Sequence, residues 1–287
     1  MARRFLVTWV FLLGGFTSGI WAEQSRLKPL LVLVESNPWD IGSQWASAPT
    51  FALYEGGLVI YHRLDLGILV SSLLGQKQQE EFLRSLPLDE FRTLQEEREV
   101  SRWSHPPYNE IYLWDRKPPA RVAVMGFLRK PKDWAPHPSP EFAQAVGEER
   151  AKTPSAFLQL FDALVAYESA EVFPWSPTTI EVLLWPLADP PANPLAWPPE
   201  WPTPGHPDVK RLLAGYTVVL DAAELGRVKQ LQKHLQAEGQ AVLFDGQAMV
   251  ITSRIPFPGE EAWRSATFSA GAHETTETAD VTTPSTQ

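Results

Sequence analysis

The sequence predicts an α+β fold: a largely antiparallel or mixed sheet built from hairpins, with about three packed helices. Three observations predict it. Turn residues separate paired β-rich runs at three places, residues 51–63, 110–127 and 241–255. Helical periodicity is confined to a few short segments between those hairpins. The order strand, helix, hairpin also occurs twice, from 68 to 127 and from 216 to 255, so two strand–helix–hairpin units are the candidate organisation.

Taken in order, residues 29–35 (PLLVLVE) form a continuous apolar run of strand length, the pattern of a buried strand. Residues 51–63 (FALYEGGLVIYHR) carry two β-rich runs around Glu55-Gly56-Gly57, whose glycines allow positive φ. A strand over 68–74 leads into a helix from 76, with Phe82, Leu83 and Leu86 on its buried face, and Pro87 breaks it. Leu88, Phe91 and Leu94 mark a second short helix. The next hairpin pairs 110–115 with 121–127. Residues 129–152, proline-rich and then polar, read as a surface excursion. Thr153-Pro154 reads as a helix start, with Phe157, Leu160, Phe161, Leu164 and Val165 at helical spacing behind it. Strands follow over 179–185 and 216–220. Asp221 and Glu224 have capping-box spacing ahead of Leu225, Val228, Leu231 and Leu235, and Gly239 is placed to end that helix. The last hairpin turns at Asp245-Gly246-Gln247.

The chain opens MARRFLVTWVFLLGGFTSGIWAEQ, with Arg3 and Arg4 before an apolar stretch and a small residue, Ala22, at a cleavage-like position; Gly19 is the alternative. Residues 1–22 therefore read as a secretory signal peptide, with an uncleaved signal anchor as the other reading. Residues 28–264 read as one globular domain, and the Thr-rich stretch 265–287 as a disordered tail. There is no cysteine, which excludes thiolate chemistry, disulfides and a lipidated cysteine. The formal charge is −9, and losing Arg3 and Arg4 makes it more acidic. That disfavours nucleic acid and anionic membrane as partners. The expected location is exported, periplasmic or secreted, with no stable membrane insertion after cleavage.

Formal catalytic motifs are missing from the sequence. Ser25 and Lys28 match Ser-x-x-Lys only at the signal junction, where no buried helix follows. His105, His137 and His206 each precede a proline and lack the spacing of ligands on one element, so they read as solvated loop residues; no metal site and no cofactor is expected. Among the acids, Asp115, Glu181 and Glu200 stand out by their context, although a salt-bridged or solvated role explains each of them more simply.

The tryptophans are the stronger signal. There are twelve, and Trp197 and Trp201 lie in a proline-rich stretch from 187 to 207 that can be neither helix nor central strand. Trp197, Glu200 and Trp201 are the candidate binding residues: exposed indoles near an acid form a platform for a sugar ring, and stiff Trp/Pro loops dock peptides. The competing reading makes the indoles core that caps the sheet, and the platform then fails; if the two strand–helix–hairpin units are real, the stretch lies between them and any binding role belongs to its outer half. No residue is assigned to catalysis.

The F-x-L-Y-x-x-G-x-V-I-Y hairpin of residues 51–61, the I-E-V-L-L-W-P strand of 180–186 and the W-P-x-x-W-P loop of 197–202 resemble segments of uncharacterised exported bacterial proteins. The resemblance implies export and a single domain, and it implies no reaction. Those proteins are often lipoproteins, whereas this chain lacks the cysteine that carries the lipid. The functional expectation is an exported, soluble, non-enzymatic binding domain whose ligand is an envelope or extracellular peptide or glycan. The alternative is a hydrolase of cell-wall or polysaccharide substrates using acids near the Trp loop, and a purely structural envelope role stands beside both.

Overall fold

The computed structural model describes residues 27–36, 49–63, 68–116, 119–133, 138–212 and 215–260. The signal-like segment 1–22 and the Thr-rich stretch 265–287 lie outside them. The chain forms two compact units, one of Pro29–Val172 joined by Glu260, the other of Phe173–Gly259 joined by Leu27 and Lys28. Each has its own sheet and core within the span that the sequence presents as one domain. The architecture is α+β, as the sequence predicts.

The N-terminal unit contains β1 (Pro29–Ser36), β2 (Pro49–Tyr54), β3 (Leu58–Arg63), β4 (Ile68–Leu73), α1 (Gln76–Arg84), α2 (Leu88–Arg92), β5 (Glu97–Glu99), β6 (Tyr108–Leu113) and β7 (Ala120–Met125). Helices α3 (Pro140–Lys152) and α4 (Ser155–Val165) complete it. Its strands lie in the order β5-β7-β6-β1-β2-β3-β4, antiparallel throughout except for the outermost pair, β5 with β7. Leu31, Leu33, Phe51, Leu53, Ile111 and Val124 pack in one core with Phe91 of α2 and Phe157, Leu160 and Phe161 of α4. On the opposite face Val32, Ala52, Ile60 and Tyr112 are buried as well. Burial on both faces is why β1 is apolar without alternation. At the β2–β3 turn, Gly57 sits at φ +86°, and a Cβ there would collide with the Leu74 carbonyl, so only glycine fits.

Two local readings are corrected here. Residues 140–152 are a helix, not an excursion: the Ser139 hydroxyl accepts from the Phe142 N–H at 3.2 Å and Pro140 opens the first turn. Its apolar stripe is faint because one of its three buried positions is an acid, Glu149, beside Ala145 and Val146. Thr153 closes this helix rather than capping the next, its hydroxyl donating back to the Glu149 carbonyl at 2.9 Å. Arg150 then ties α3 to α4 by a two-pronged bond to Asp162, at 3.1 and 2.7 Å.

The C-terminal unit holds β8 (Phe173–Pro174), β9 (Thr179–Pro186), β10 (Leu195–Ala196), β11 (Val209–Leu212), β12 (Gly215–Asp221), α5 (Leu225–Glu238), β13 (Val242–Phe244) and β14 (Gln247–Arg254). Six of these strands form a sheet in the order β10-β13-β14-β9-β12-β11, parallel only between β10 and β13. Val228 and Leu235 of α5 pack against Ile180, Val182, Leu184 and Val218. Gly239 ends α5 in the left-handed conformation, as its position predicts. The capping box is corrected: Asp221 caps a 3₁₀ turn, Ala222–Glu224, by accepting from the Ala223 N–H at 2.8 Å, and the Glu224 carboxylate is directed elsewhere.

Both units contain the order strand, helix, hairpin, as β4-α1-β6/β7 and β12-α5-β13/β14. Their sheets use it differently. In the first, three strands separate β4 from the hairpin, which joins through its leading strand β6; in the second, β9 alone separates β12 from the hairpin, which joins through its trailing strand β14. The units share an order along the chain, not an order in the sheet. Among the described residues no helix is long and apolar enough to cross a membrane, which says nothing of β-barrels.

Candidate functional site

The proline-rich connection leaves β9 at Pro186, touches the sheet edge as β10 and rejoins the sheet at β11. Its backbone is tied down at intervals: the Leu187 N–H donates to the Ala248 carbonyl at 3.1 Å and the Leu195 N–H to Ala241 at 2.8 Å. Two tight turns follow, closed by Trp201 N–H to the Pro198 carbonyl at 3.1 Å and His206 N–H to Thr203 at 3.0 Å. These bonds make an ordered course out of a stretch whose prolines can join neither helix nor ladder interior.

Trp197 and Trp201 turn inward, at 8% and 4% exposure, and belong to the core. Trp197 meets Trp201 edge-on at 5.2 Å and Phe244 at 5.0 Å, and Phe244 meets Tyr216 at 5.1 Å. Each indole N–H finds an acceptor, Trp197 Nε1 on the Pro202 carbonyl at 3.1 Å and Trp201 Nε1 on Glu224 Oε2 at 2.8 Å. Arg227 completes the arrangement. Its guanidinium lies 5.5 Å from the centre of the Trp201 ring, donates to the same Glu224 oxygen at 3.0 Å and also donates to Glu200. Bonding from Arg227 is the main reason the exposed Glu200 carboxyl is held below the usual carboxylate range.

The three residues singled out in the sequence, Trp197, Glu200 and Trp201, are thus brought together. They form a clasp rather than an open platform, since the indole faces are spent on the core. What the loop presents to solvent is its outer half, including Pro190, Pro199, Thr203, Pro204 and Pro207.

Glu181 and Glu200 do not converge. Glu181 lies on the sheet face away from α5, because its neighbours Ile180 and Val182 face the core. There it meets Arg254, directly opposite in the β9–β14 register, with Nη2 2.6 Å from Oε2. Glu200 is held on the α5 side. Asp115, in the other unit, is bonded by Arg92 and lies 3.6 Å from Arg116. Within the C-terminal unit Glu181 and Glu200 thus lie on opposite sides of the sheet, without the shared cleft that acid–base chemistry requires. His62 is half-buried, and burial with the nearby Arg129 guanidinium holds it below the usual imidazole range. The His206 ring accepts from the Asp208 N–H at 3.2 Å, and His137 lies outside the described residues. Among the described residues no group of three or more His, Cys, Asp or Glu side chains is placed to hold a metal ion.

One residue that the sequence reading passed over has the exposure those indoles lack. Trp103, in the segment between β5 and β6, is 44% exposed, and it is the only exposed tryptophan among the described residues. Its flanking sequence, SRWSHPP, is the same mixture of polar residues and prolines that surrounds the buried indoles, so composition alone does not separate the two cases. Comparison with protein-family models, with curated proteins and with solved structures finds no match.

Proposed function

We propose that this chain is an exported, non-enzymatic interaction protein of a bacterial envelope or its surroundings, which contacts its partner through the outer half of the loop from Leu187 to Pro207. The observation that carries this reading is the division of that loop. Its inner half is locked to the core by two indoles and an Arg227 clasp, while its outer half exposes prolines. Proline carries no backbone donor, so such a surface offers mainly carbonyl acceptors and ring faces, suited to a partner that supplies aromatic groups and N–H or O–H donors. Because the loop is already ordered, binding does not have to immobilise it, which favours affinity from a small contact. The signal-like start at residues 1–22 supports export.

Two measurements test this. Residues 1–28 fused to leaderless alkaline phosphatase yield phosphatase activity if the segment directs export; an inactive fusion removes the localisation. For the contact, a triple variant Pro199→Ser, Pro204→Ser, Pro207→Ser keeps both tryptophans and loosens only the outer half. The expected result is an unchanged melting temperature with loss of an envelope partner that crosslinks to the wild-type loop. An identical crosslinking pattern for both proteins overturns the reading.

A further inference from the structure

We propose that Trp103 is the stacking residue of a second binding site, one that takes a pyranose ring of a polysaccharide. This goes beyond the reading of the proline-rich loop and rests on a different unit. The segment from Val100 to Pro107 is fixed at both ends to the end of β7: Val100 N–H donates to the Met125 carbonyl at 3.0 Å, and Gly126 N–H donates to Pro107 at 2.9 Å. Between these anchors the chain is braced from beneath by Glu149, a carboxylate only 2% exposed. Its two oxygens accept from the Ser101 hydroxyl and from the Phe127 N–H, each at 2.7 Å. The same Ser101 oxygen accepts from the Trp103 N–H at 3.1 Å. Gly126 lets the carboxylate come this close, since a Cβ there would fall 2.6 Å from Val100 and 3.2 Å from Glu149.

A buried acid, a close glycine and two backbone ties therefore hold a tryptophan out in water. His105, two residues on, adopts φ +61°, a left-handed conformation unfavourable for a residue with a Cβ. Such backbone cost persists where the surrounding structure imposes it, and it clusters at binding sites. The Trp103 ring leans on Phe142 at 6.2 Å, and Phe142 in turn meets Phe127 edge-on at 5.1 Å, which limits how the indole can swing.

The surroundings indicate what the ring would hold. The Arg102 guanidinium lies over the indole, 5.7 Å from its centre, and pairs with Glu148 at 3.6 Å, and Ser104 and His105 are exposed beside it. An exposed indole with donors and acceptors over and beside it matches a sugar, whose C–H face stacks on the ring once the exposed Arg102 side chain gives way, while its hydroxyls bond the polar groups around it. A protein partner would call for roughly 800 Å² on this side with an apolar centre, far more than one indole and a half-buried Phe142 provide.

The test uses the full chain and three probes, cellohexaose, hexa-N-acetylchitohexaose and maltohexaose. The indole N–H resonance of Trp103, identified by its loss in Trp103→Phe, is expected to shift on titration with one of them. Trp103→Ala should weaken that binding about tenfold or more at unchanged melting temperature, and Trp103→Phe should restore part of it. The Pro199/Pro204/Pro207 variant should bind the sugar as wild type does, which separates this site from the proline-rich loop. No shift with any of the probes, or a Trp103→Ala variant that binds as tightly, overturns the proposal. So does a Trp103-dependent crosslink to a protein in place of a sugar.

Discussion

In the loop between β9 and β11, Trp197 and Trp201 are flanked by prolines and point into a core of Phe244, Tyr216 and each other. In the segment between β5 and β6, Trp103 has two prolines close behind it and points into solvent. The difference lies in what sits under each. Beneath the first loop there is an apolar layer to fill, and an acceptor stands ready for each indole N–H, so burying the rings gains area and leaves no donor unpaired. Beneath the second there is a carboxylate, Glu149, already engaged with Ser101 and Phe127. An indole pressed onto that charge would displace its hydrogen bonds. The comparison teaches that, in a chain rich in Trp and Pro, the polarity of the supporting layer decides whether a loop tryptophan becomes core or contact.

The sharpest way to break this contrast is to truncate one indole of each kind. Trp201→Ala opens a cavity in the C-terminal unit and leaves Glu224 without its indole donor; the expected loss of stability is about 3–5 kcal/mol, read by urea denaturation. Trp103→Ala removes a half-solvated ring and should stay within about 0.5 kcal/mol of wild type. Equal losses from the two substitutions would end the distinction between core and contact.

A smaller effect tests the supporting layer itself. Glu149→Ala strips the acceptor from the Ser101 hydroxyl and the Phe127 N–H inside the N-terminal unit, and is expected to cost about 1–3 kcal/mol. Amide exchange adds a local readout: the Phe127 and Trp103 N–H groups should exchange faster in Glu149→Ala than in wild type, by more than the global change in stability explains. If both keep their protection, Glu149 is not what holds the segment.

How much of this was legible in the sequence depends on what carried each signal. The hairpin turning at Gly56-Gly57 is written in positive-φ glycines, and the burial of β1 in an unbroken apolar run, so both read directly. Helix α3 was not legible by periodicity, because Glu149 occupies a buried position that a hydrophobicity pattern counts as surface. Its cap, Ser139-Pro140, was the readable clue. Strand β5, with the sequence ERE, has no β signature at all and is a strand only because β7 offers it an edge. The clasp shows the same limit. Glu224 has capping-box spacing, yet its carboxylate serves Trp201 and Arg227 across the fold, and nothing local in the sequence records that competition. Trp103 and Trp201 differ by what packs beneath them, which is tertiary information.

The smallest expected effect concerns the ion pair that fastens the proline-rich loop, and it is read through pH. The Glu200 carboxyl is held low chiefly by bonding from Arg227, so the folded protein favours its ionised form. Such a group contributes stability that is present above the ordinary carboxylate pKa, about 4.3, and is lost as pH falls through the lower folded value. Melting temperatures of wild type and Glu200→Gln should therefore differ by a small constant amount at neutral pH and converge in acid below that range. Both partners are about half exposed, so added salt should shrink the neutral difference. A Glu200→Gln difference that is flat across the whole acid range would mean that the loop is held by Trp201 and Glu224 alone, with Arg227 serving the ring rather than the acid.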